Sequence, residues 1–138
     1  MLSHHQSLHV HNDTDSYDTA QSPAPAAARS VRLLLPAPAE EEYETSFTYH
    51  KGTGILEIDR TYCGVTKDVV CVRKIKIADP KGLKKMRFIL DRQSIELFIN
   101  DGQQVATTAV CTPLEAQGIR FFSDKKMYIT VEKYDIVL

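Results

Sequence analysis

Apolar and polar side chains alternate along short segments of this chain, and turn residues separate the segments. In the clearest segment, Tyr43, Phe47 and Tyr49 share one side of an extended chain, and charged or small polar residues share the other. A period of two residues is typical of a β-strand with one buried face. Turn chemistry at 50–54 and at 100–102 ends two of these segments, because Asn and Gly tolerate positive φ angles. The pattern therefore predicts β-hairpins.

The same pattern predicts about nine strands, with turn signals about every 8–12 residues. The predicted strands are 31–35, 43–49, 55–59, 69–77, 86–90, 95–99, 104–110, 118–122 and 127–138. The parity of the apolar residues changes between Val72 and Ile75, which predicts a bulge there. No segment has an apolar stripe at helical spacing. These features favour an all-β domain, a two-sheet antiparallel β-sandwich of the lectin-like kind.

Residues 1–29 differ in composition from the rest of the chain. They hold four of the five histidines, many small polar residues and a run rich in Pro and Ala. A segment with so few large apolar side chains cannot offset its ordering entropy. We therefore expect a disordered tail or linker at 1–29 and the sandwich domain at 30–138. Weak, adventitious metal binding is favoured over a designed site for the tail histidines, which are His4, His5, His9 and His11.

Charge and cysteine content exclude several classes of protein. The chain has 17 basic and 18 acidic side chains and no basic stripe with interleaved aromatics, which argues against nucleic-acid binding. No apolar run reaches membrane-spanning length. Three cysteines exclude a complete set of disulfides within one chain. Together with the lack of a visible secretion signal, this predicts a soluble protein of a reducing compartment, the cytoplasm.

Several motifs resemble those of one family, in the order in which the family has them. Residues 87–102 read RFILDRQSIELFINDG and resemble the L-D-R-S-S-V-E-V-F-x-N-D-G hairpin of glycoside hydrolase family 32. Residues 49–60 resemble that family's Y-x-x-x-x-G-x-L-x-x-D-R hairpin. Arg73 stands where an arginine commonly begins the next strand, and residues 118–122 resemble a G-I-x-L-F strand. The resemblance is to the C-terminal β-sandwich of the family and covers residues 31–138.

This resemblance implies a parent enzyme that hydrolyses β-fructofuranosyl bonds, such as an invertase, a sucrose-6-phosphate hydrolase, a levanase or an inulinase. The family's catalytic carboxylates lie in a separate propeller domain, in Asn-Asp-Pro, Glu-Cys and Arg-Asp-Pro segments that this sequence lacks. The chain departs from the family at Gln93, where Ser is usual, and at Cys111, where an aromatic residue is common. We expect no catalytic residue, cofactor or metal here, and we leave open whether the chain alone is an enzyme.

Two functions fit this resemblance. The first is a non-catalytic module that packs against the propeller and supports stability or oligomer contacts, including a homodimer. The alternative is a carbohydrate-binding, lectin-like module for fructan. The candidate sugar or interface contacts are Tyr43, Phe47, Tyr49 and Phe98. Aromatic rings stack on sugars, but they also build cores, and a core role is favoured for any single one of them.

Other residues give weaker signals. A nucleophile pair of Cys63 and His50 would need hydrogen-bond contact and an orienting group, and the sequence shows neither. Cys71 and Cys111 follow apolar strand patterns and are expected to be buried small hydrophobes. A module that packs on a second domain should also expose an apolar patch. We expect 43–49, with the aromatics of 118–122, to supply part of it.

Overall fold

The computed structural model describes residues 5–12, 30–37, 43–64, 70–91, 93–111 and 118–136. Within these ranges the chain forms ten β-strands and no helix. In chain order the strands are β1 (His5–Asn12), β2 (Ser30–Ala37), β3 (Glu44–His50), β4 (Ile55–Tyr62), β5 (Val72–Lys76), β6 (Lys85–Leu90), β7 (Ser94–Ile99), β8 (Gln104–Ala109), β9 (Gly118–Ser123) and β10 (Ile129–Ile136). Every strand predicted from the alternation is present.

The strands form two five-stranded sheets. Sheet A has the order β10-β1-β6-β7-β8, and sheet B has the order β5-β4-β3-β2-β9. All neighbouring strands are antiparallel. The antiparallel two-sheet sandwich predicted from the sequence is therefore confirmed.

The core lies between the two sheets. Phe47 of sheet B meets Phe88 of sheet A edge to face, with ring centroids 4.9 Å apart. Leu56 and Ile58 of β4 are buried beside them. Every second residue of β7 is also buried, because alternate side chains of a strand point to the same face. Each sheet thus contributes one apolar face, as the alternation along the sequence predicts.

Strand β1 corrects the expectation that residues 1–29 are a disordered tail. Residues His5–Asn12 lie inside sheet A and pair with β10 over eight residue pairs and with β6 over six. Val10 is 5% exposed and belongs to the core. Composition misled here because an inner strand is stabilised by backbone pairing on both sides, which requires little apolar content. Residues 1–4 and 13–29 lie outside the described residues, so the expected tail or linker stays a prediction there.

The bulge expected between Val72 and Ile75 is also wrong. Strand β5 pairs with β4 in one continuous register, from Ile55 opposite Lys76 to Asp59 opposite Val72. The parity of the apolar residues changes for another reason. Val72 is 40% exposed on the outer face of an edge strand, whereas Ile75 packs against the core. An exposed valine on an edge strand therefore mimics a bulge in the sequence pattern.

The two ends of the sandwich are formed by different segments. At the end that we term proximal, β1 begins at His5, opposite Ile136 of β10. The segment 61–64, which closes β4, lies at this end as well, because the amide of Cys111 after β8 donates to the carbonyl of Cys63 over 2.8 Å. Residues 70–72, which lead into β5, complete the proximal end.

The opposite end, termed distal, is built from turns. It carries the hairpin turns 51–54 and 100–103, the turn 124–128 and the crossing segment 77–84 that leads from sheet B to sheet A. Five lysines in these turns and crossings are exposed: Lys51, Lys81, Lys84, Lys125 and Lys126. The same segments also hold Asp79, Asp101 and Asp124, so the described part of the distal end has a modest net positive charge.

Candidate functional site

Side chains that reach from sheet to sheet close one side of the sandwich, where the edge strands β5 and β8 lie side by side. The Arg60 guanidinium donates through Nη1 to the carbonyl oxygen of Ala109 over 2.8 Å, and it also donates to the carbonyl of Val70. Arg73 donates through Nη1 to the carbonyl of Thr107 over 3.4 Å. Both arginines thus satisfy backbone acceptors of edge strands.

Gln104 completes this seam at the distal end of the same two strands. Its side-chain Nε2 donates to the carbonyl of Lys76 over 2.9 Å, and its Oε1 accepts from the amide of Ala78 over 2.8 Å. One amide side chain therefore substitutes for a pair of ladder hydrogen bonds between strands of different sheets. We use the name bridging seam for Arg60, Arg73 and Gln104.

The bridging seam makes a stability prediction at Arg60. The Arg60→Met change keeps an apolar stem but leaves the Ala109 carbonyl without its donor. Because the side chain is only half-buried, we expect the free energy of unfolding to fall by about 1 kcal/mol in urea titrations. The matched control is Arg120→Met on the exposed face of β9, which should stay within about 0.5 kcal/mol of the parent. Equal losses in the two variants would contradict a bridging role.

A second anchor holds the crossing segment 77–84. The Asn100 side chain accepts through Oδ1 from the amides of Lys84 and Lys85 over 2.8 and 3.1 Å, and it donates through Nδ2 to the Gly82 carbonyl over 3.0 Å. The Tyr49 hydroxyl accepts from the amide of Leu83 over 3.3 Å. Residues of both sheets therefore fix the segment that connects the sheets.

The four candidate aromatic contacts do not form one platform. Phe47 and Tyr49 are 1% and 6% exposed and lie in the core. Their burial agrees with the core role that the sequence favours for any single aromatic, and it keeps a ligand in solution from reaching them. Tyr43 is half-buried beside the backbone of Gly64, at the proximal end. Phe98 lies on the outer face of sheet A, and these last two residues stay candidates.

The outer face of sheet A carries a row of aromatic and charged side chains. The Arg87 guanidinium lies 4.5 Å from the ring centroid of Phe98. On neighbouring strands, His9 meets Tyr134 edge to face at 5.7 Å. The Tyr134 hydroxyl donates to the Glu132 carboxylate over 3.3 Å, and the negative charge of Glu132, with this hydrogen bond, raises the pKa of Tyr134. We name these five residues the sheet A row.

The structure separates the proposed nucleophile pair. His50 ends β3 at the distal end, whereas Cys63 follows β4 at the proximal end. Cys63 is 2% exposed, with Sγ 3.9 Å from the Ala109 carbonyl oxygen. The expected burial of the other two cysteines is wrong, since Cys71 is half-buried and Cys111 is exposed where β8 leaves the sheet. None of the three cysteines forms a disulfide in this structure.

Several of the described carboxylates bind local partners. Asp59 accepts from the Thr61 amide over 2.9 Å, and Asp79 accepts from the Lys81 amide over 2.8 Å, as short acidic side chains do in turns. Glu57 forms an ion pair with Lys74 of the neighbouring strand.

Among the described residues, no group of three or more His, Cys, Asp or Glu side chains could hold a metal ion. No helix in those ranges is long and apolar enough to cross a membrane.

Exposed apolar side chains mark parts of the surface. At the proximal end, Tyr62 is 66% and Val70 is 78% exposed. Phe122 of β9 is 50% exposed on the outer face of sheet B, whereas Phe121 beside it packs against the core. The apolar patch expected from 43–49 is therefore not found there, because Phe47 and Tyr49 of that segment are buried.

Comparison with known families agrees with this geometry. The family model described as "Glycosyl hydrolases family 32 C terminal" matches residues 2–137. The chain belongs to this family. The sucrose-6-phosphate hydrolase of Staphylococcus xylosus is 32% identical over 95 residues, which are 67% of this chain and 19% of that enzyme. This family 32 domain therefore spans about a fifth of the length of the curated relative that it matches.

Solved structures show the same fold. An exo-inulinase from Aspergillus awamori superposes with a TM-score of 0.74 at 19% identity, over 98% of this chain and 25% of that one. Sheep galectin-11 superposes with a TM-score of 0.58 at 11% identity, over 97% of this chain and 91% of that one. At these identities the likeness shows the fold alone. The second match supports the lectin-like architecture predicted from the sequence.

The motif residues of this family 32 domain have structural partners. Arg60 ends the first hairpin motif, Asn100 lies in the turn of the second, and both bind backbone groups of other segments. Gln104 of the bridging seam lies just beyond the motif, and sequence reasoning missed it. The sequence did offer a signal: the amide side chain of Gln104 stands at the start of the face of β8 that also carries Ala106 and Thr108, which are buried. A polar side chain on such a face needs a hydrogen-bond partner.

Proposed function

We propose that this domain is the non-catalytic C-terminal sandwich of a β-fructofuranosidase of the sucrose or sucrose-6-phosphate hydrolase type, an enzyme that hydrolyses O-glycosyl bonds. The observation that carries the proposal is the use of the motif side chains. Arg60, Arg73 and Asn100 bind backbone carbonyls or amides that join strands and sheets. Their chemistry serves the sandwich, and a sugar or a nucleophile would have to compete with these bonds.

The arrangement of the carboxylates supports a non-catalytic role. A retaining glycosidase needs two carboxyl groups about 5 Å apart on either side of the scissile bond. Here Asp59 and Asp79 cap their own turns, and Asp101 forms an ion pair with Lys85 at 3.3 Å. In this proposal the remaining length of the enzyme, which forms most of the curated relative, supplies the catalytic propeller and its carboxylates.

The role that we propose for the domain is to stabilise that propeller, or to join two copies of the enzyme. A sandwich with its own core can do this only through its surface. Tyr62 and Val70 expose apolar groups that would lose contact with water on association. Burial of apolar surface between two domains stabilises both, because the favourable free energy grows with the apolar area that is removed from water.

Two activity measurements test the proposal. The pure chain is expected to release no fructose from sucrose, sucrose 6-phosphate or inulin. A chimera, in which this chain replaces the matching segment of the S. xylosus enzyme, is expected to hydrolyse sucrose 6-phosphate and to resist heat better than the same enzyme without that segment. Fructose release by the pure chain, or a chimera no more stable than the shortened enzyme, would contradict the proposal.

A second candidate function, carbohydrate binding, is favoured by the sheet A row. Phe98 and Tyr134 offer rings, and His9, Arg87 and Glu132 offer hydrogen-bonding groups on the same face. Titration of the chain with fructan oligosaccharides, followed by calorimetry, separates the two functions. Binding that Phe98→Ala abolishes would support a fructan-binding module. No heat of binding is expected for the structural module.

A further inference from the structure

We infer that the proximal end of the sandwich is the surface that faces the catalytic part of the enzyme. This inference rests on the proposed function and names the contact surface within it. Three independent features of the described residues support it: the apolar groups at the proximal end, the position of strand β1 and the charge of the distal end.

The apolar groups at the proximal end lack partners of their own. Within the described ranges the side chain of Tyr62 makes no hydrogen bond or ring contact and is 66% exposed, and Val70 is 78% exposed. Two other exposed rings have partners: Tyr134 binds Glu132, and the Lys126 ammonium lies 5.5 Å from the ring centroid of Tyr128. Among the large apolar side chains that the structure describes, Val70 and Tyr62 have the two largest exposed fractions, so they gain most from being covered by a second domain.

These groups are held on a rigid frame. The Val70 carbonyl accepts from the Arg60 guanidinium, and the Cys63 carbonyl, next to Tyr62, accepts from the Cys111 amide over 2.8 Å. A Cβ atom at Gly64 would lie 2.1 Å from the Cys111 carbonyl oxygen, so two backbones cross closely at this point. A preorganised surface loses little conformational entropy on binding.

The path of the chain places the preceding domain near the same end. In a C-terminal domain, the preceding chain leads into the first strand, and β1 begins with His5 at the proximal end. The family model describes a C-terminal domain, so under the proposed function the catalytic part connects to the sandwich at the end where β1 begins.

The distal end has the opposite character. Its exposed turn lysines, among them Lys51, Lys81 and Lys126, would lose hydration against a packed domain. Burying an ammonium group without a paired anion is strongly unfavourable. The charge distribution therefore leaves the distal end in water and directs the proximal end toward the catalytic part.

The exposed thiol of Cys111 reports on this contact. Reaction with a maleimide, quantified peptide by peptide by mass spectrometry, is compared between the isolated chain and the chimera with the S. xylosus enzyme. We expect Cys111 to react at least about tenfold more slowly in the chimera, because a covered thiol reacts only after local opening. A cysteine introduced at the distal end by Lys51→Cys should react equally fast in both proteins.

The outcomes separate this inference from the proposed function. If the chimera is active and stable but its Cys111 reacts as fast as in the isolated chain, the proximal end does not face the catalytic part, and the proposed function still stands. Protection of the introduced cysteine of Lys51→Cys, with no protection of Cys111, would also contradict the proximal end as the contact surface. A chimera without activity or added stability counts against the function itself.

A second measurement needs only the isolated chain. An uncovered apolar end also favours contact between two copies, so we expect self-association in sedimentation velocity at the highest soluble concentration. The Tyr62→Ser/Val70→Ser double variant should shift the chain to monomer, and Val105→Ser, a 56% exposed residue of β8, should not. Absence of self-association, or association that the double variant leaves intact, would contradict the inference.

Discussion

A chain that lacks residues 1–12 will not fold into the sandwich. Strand β10 is an edge strand of sheet A, and β1 is its one neighbour within that sheet. Removal of β1 therefore releases β10 as well and leaves β6 as a new edge. Sheet A shrinks from five strands to three, and the core loses Val10, which is 5% exposed.

The expected loss exceeds what a domain of this size can tolerate. Each backbone hydrogen bond of the β1–β10 and β1–β6 ladders contributes about 1 kcal/mol net, and burial of a valine contributes about 2 kcal/mol. The two ladders hold eight and six residue pairs, so the total is about 15 kcal/mol, which is the upper end of the stability of a whole domain, about 5–15 kcal/mol. Far-UV circular dichroism during urea titration should show a cooperative transition for the full chain and none for the shortened one.

The matched control is a chain that lacks only residues 1–4. It keeps all of β1 and should unfold at the same urea concentration as the full chain. The opposite outcome, in which removal of residues 1–12 leaves the urea midpoint unchanged, would restore the expectation that this segment is a disordered tail. It would also contradict the position of β1 between β6 and β10.

The alternation of side chains predicted nine of the ten strands because it reports a physical cause. Period-two patterns arise where one face of a strand is buried, and β3, β6 and β7 follow them closely. Strand β1 reads HQSLHVHN and was missed because polar residues dominate it. Its stability depends on two neighbours that are distant in sequence, and no local pattern records them.

The sites were predicted less well than the strands for a related reason. Alternation placed Phe47 and Tyr49 on one face of β3, but it could not tell whether that face is turned toward the second sheet or toward solvent. The cysteines show the same limit, since the buried one is Cys63 in a connecting segment and the exposed one is Cys111. Burial depends on how the sheets pack, which one sequence segment does not encode alone.

Asn100 shows how much a turn motif can conceal. The N-D-G sequence predicts a tight turn, and the structure confirms it with φ angles of 47° at Asn100, 60° at Asp101 and 90° at Gly102. The side chain of Asn100 has a second role that the motif does not reveal. It is 7% exposed and binds backbone groups of Gly82, Lys84 and Lys85, 15 to 18 residues earlier in the chain.

We therefore expect Asn100→Ala to be the most damaging substitution in the described turns of this domain. The change leaves the amides of Lys84 and Lys85 and the carbonyl of Gly82 without partners, at about 1–3 kcal/mol for each buried group. It also places an alanine at positive φ, which costs a further 1–2 kcal/mol roughly. Water can hydrate the partly exposed amides, which reduces this cost. We therefore expect the free energy of unfolding to fall by about 4 kcal/mol in urea titrations.

The neighbouring aspartate provides the control for this prediction. Asp101 also has a positive φ, but its carboxylate is exposed and pairs only with Lys85 at 3.3 Å. Asp101→Asn keeps the turn conformation and should change the stability by less than about 0.5 kcal/mol. Asn100→Asp, which keeps the acceptor oxygen and loses the donor to Gly82, should fall between the two. If Asn100→Ala were as stable as Asp101→Asn, the crossing segment would have to be held by Tyr49 and the backbone alone.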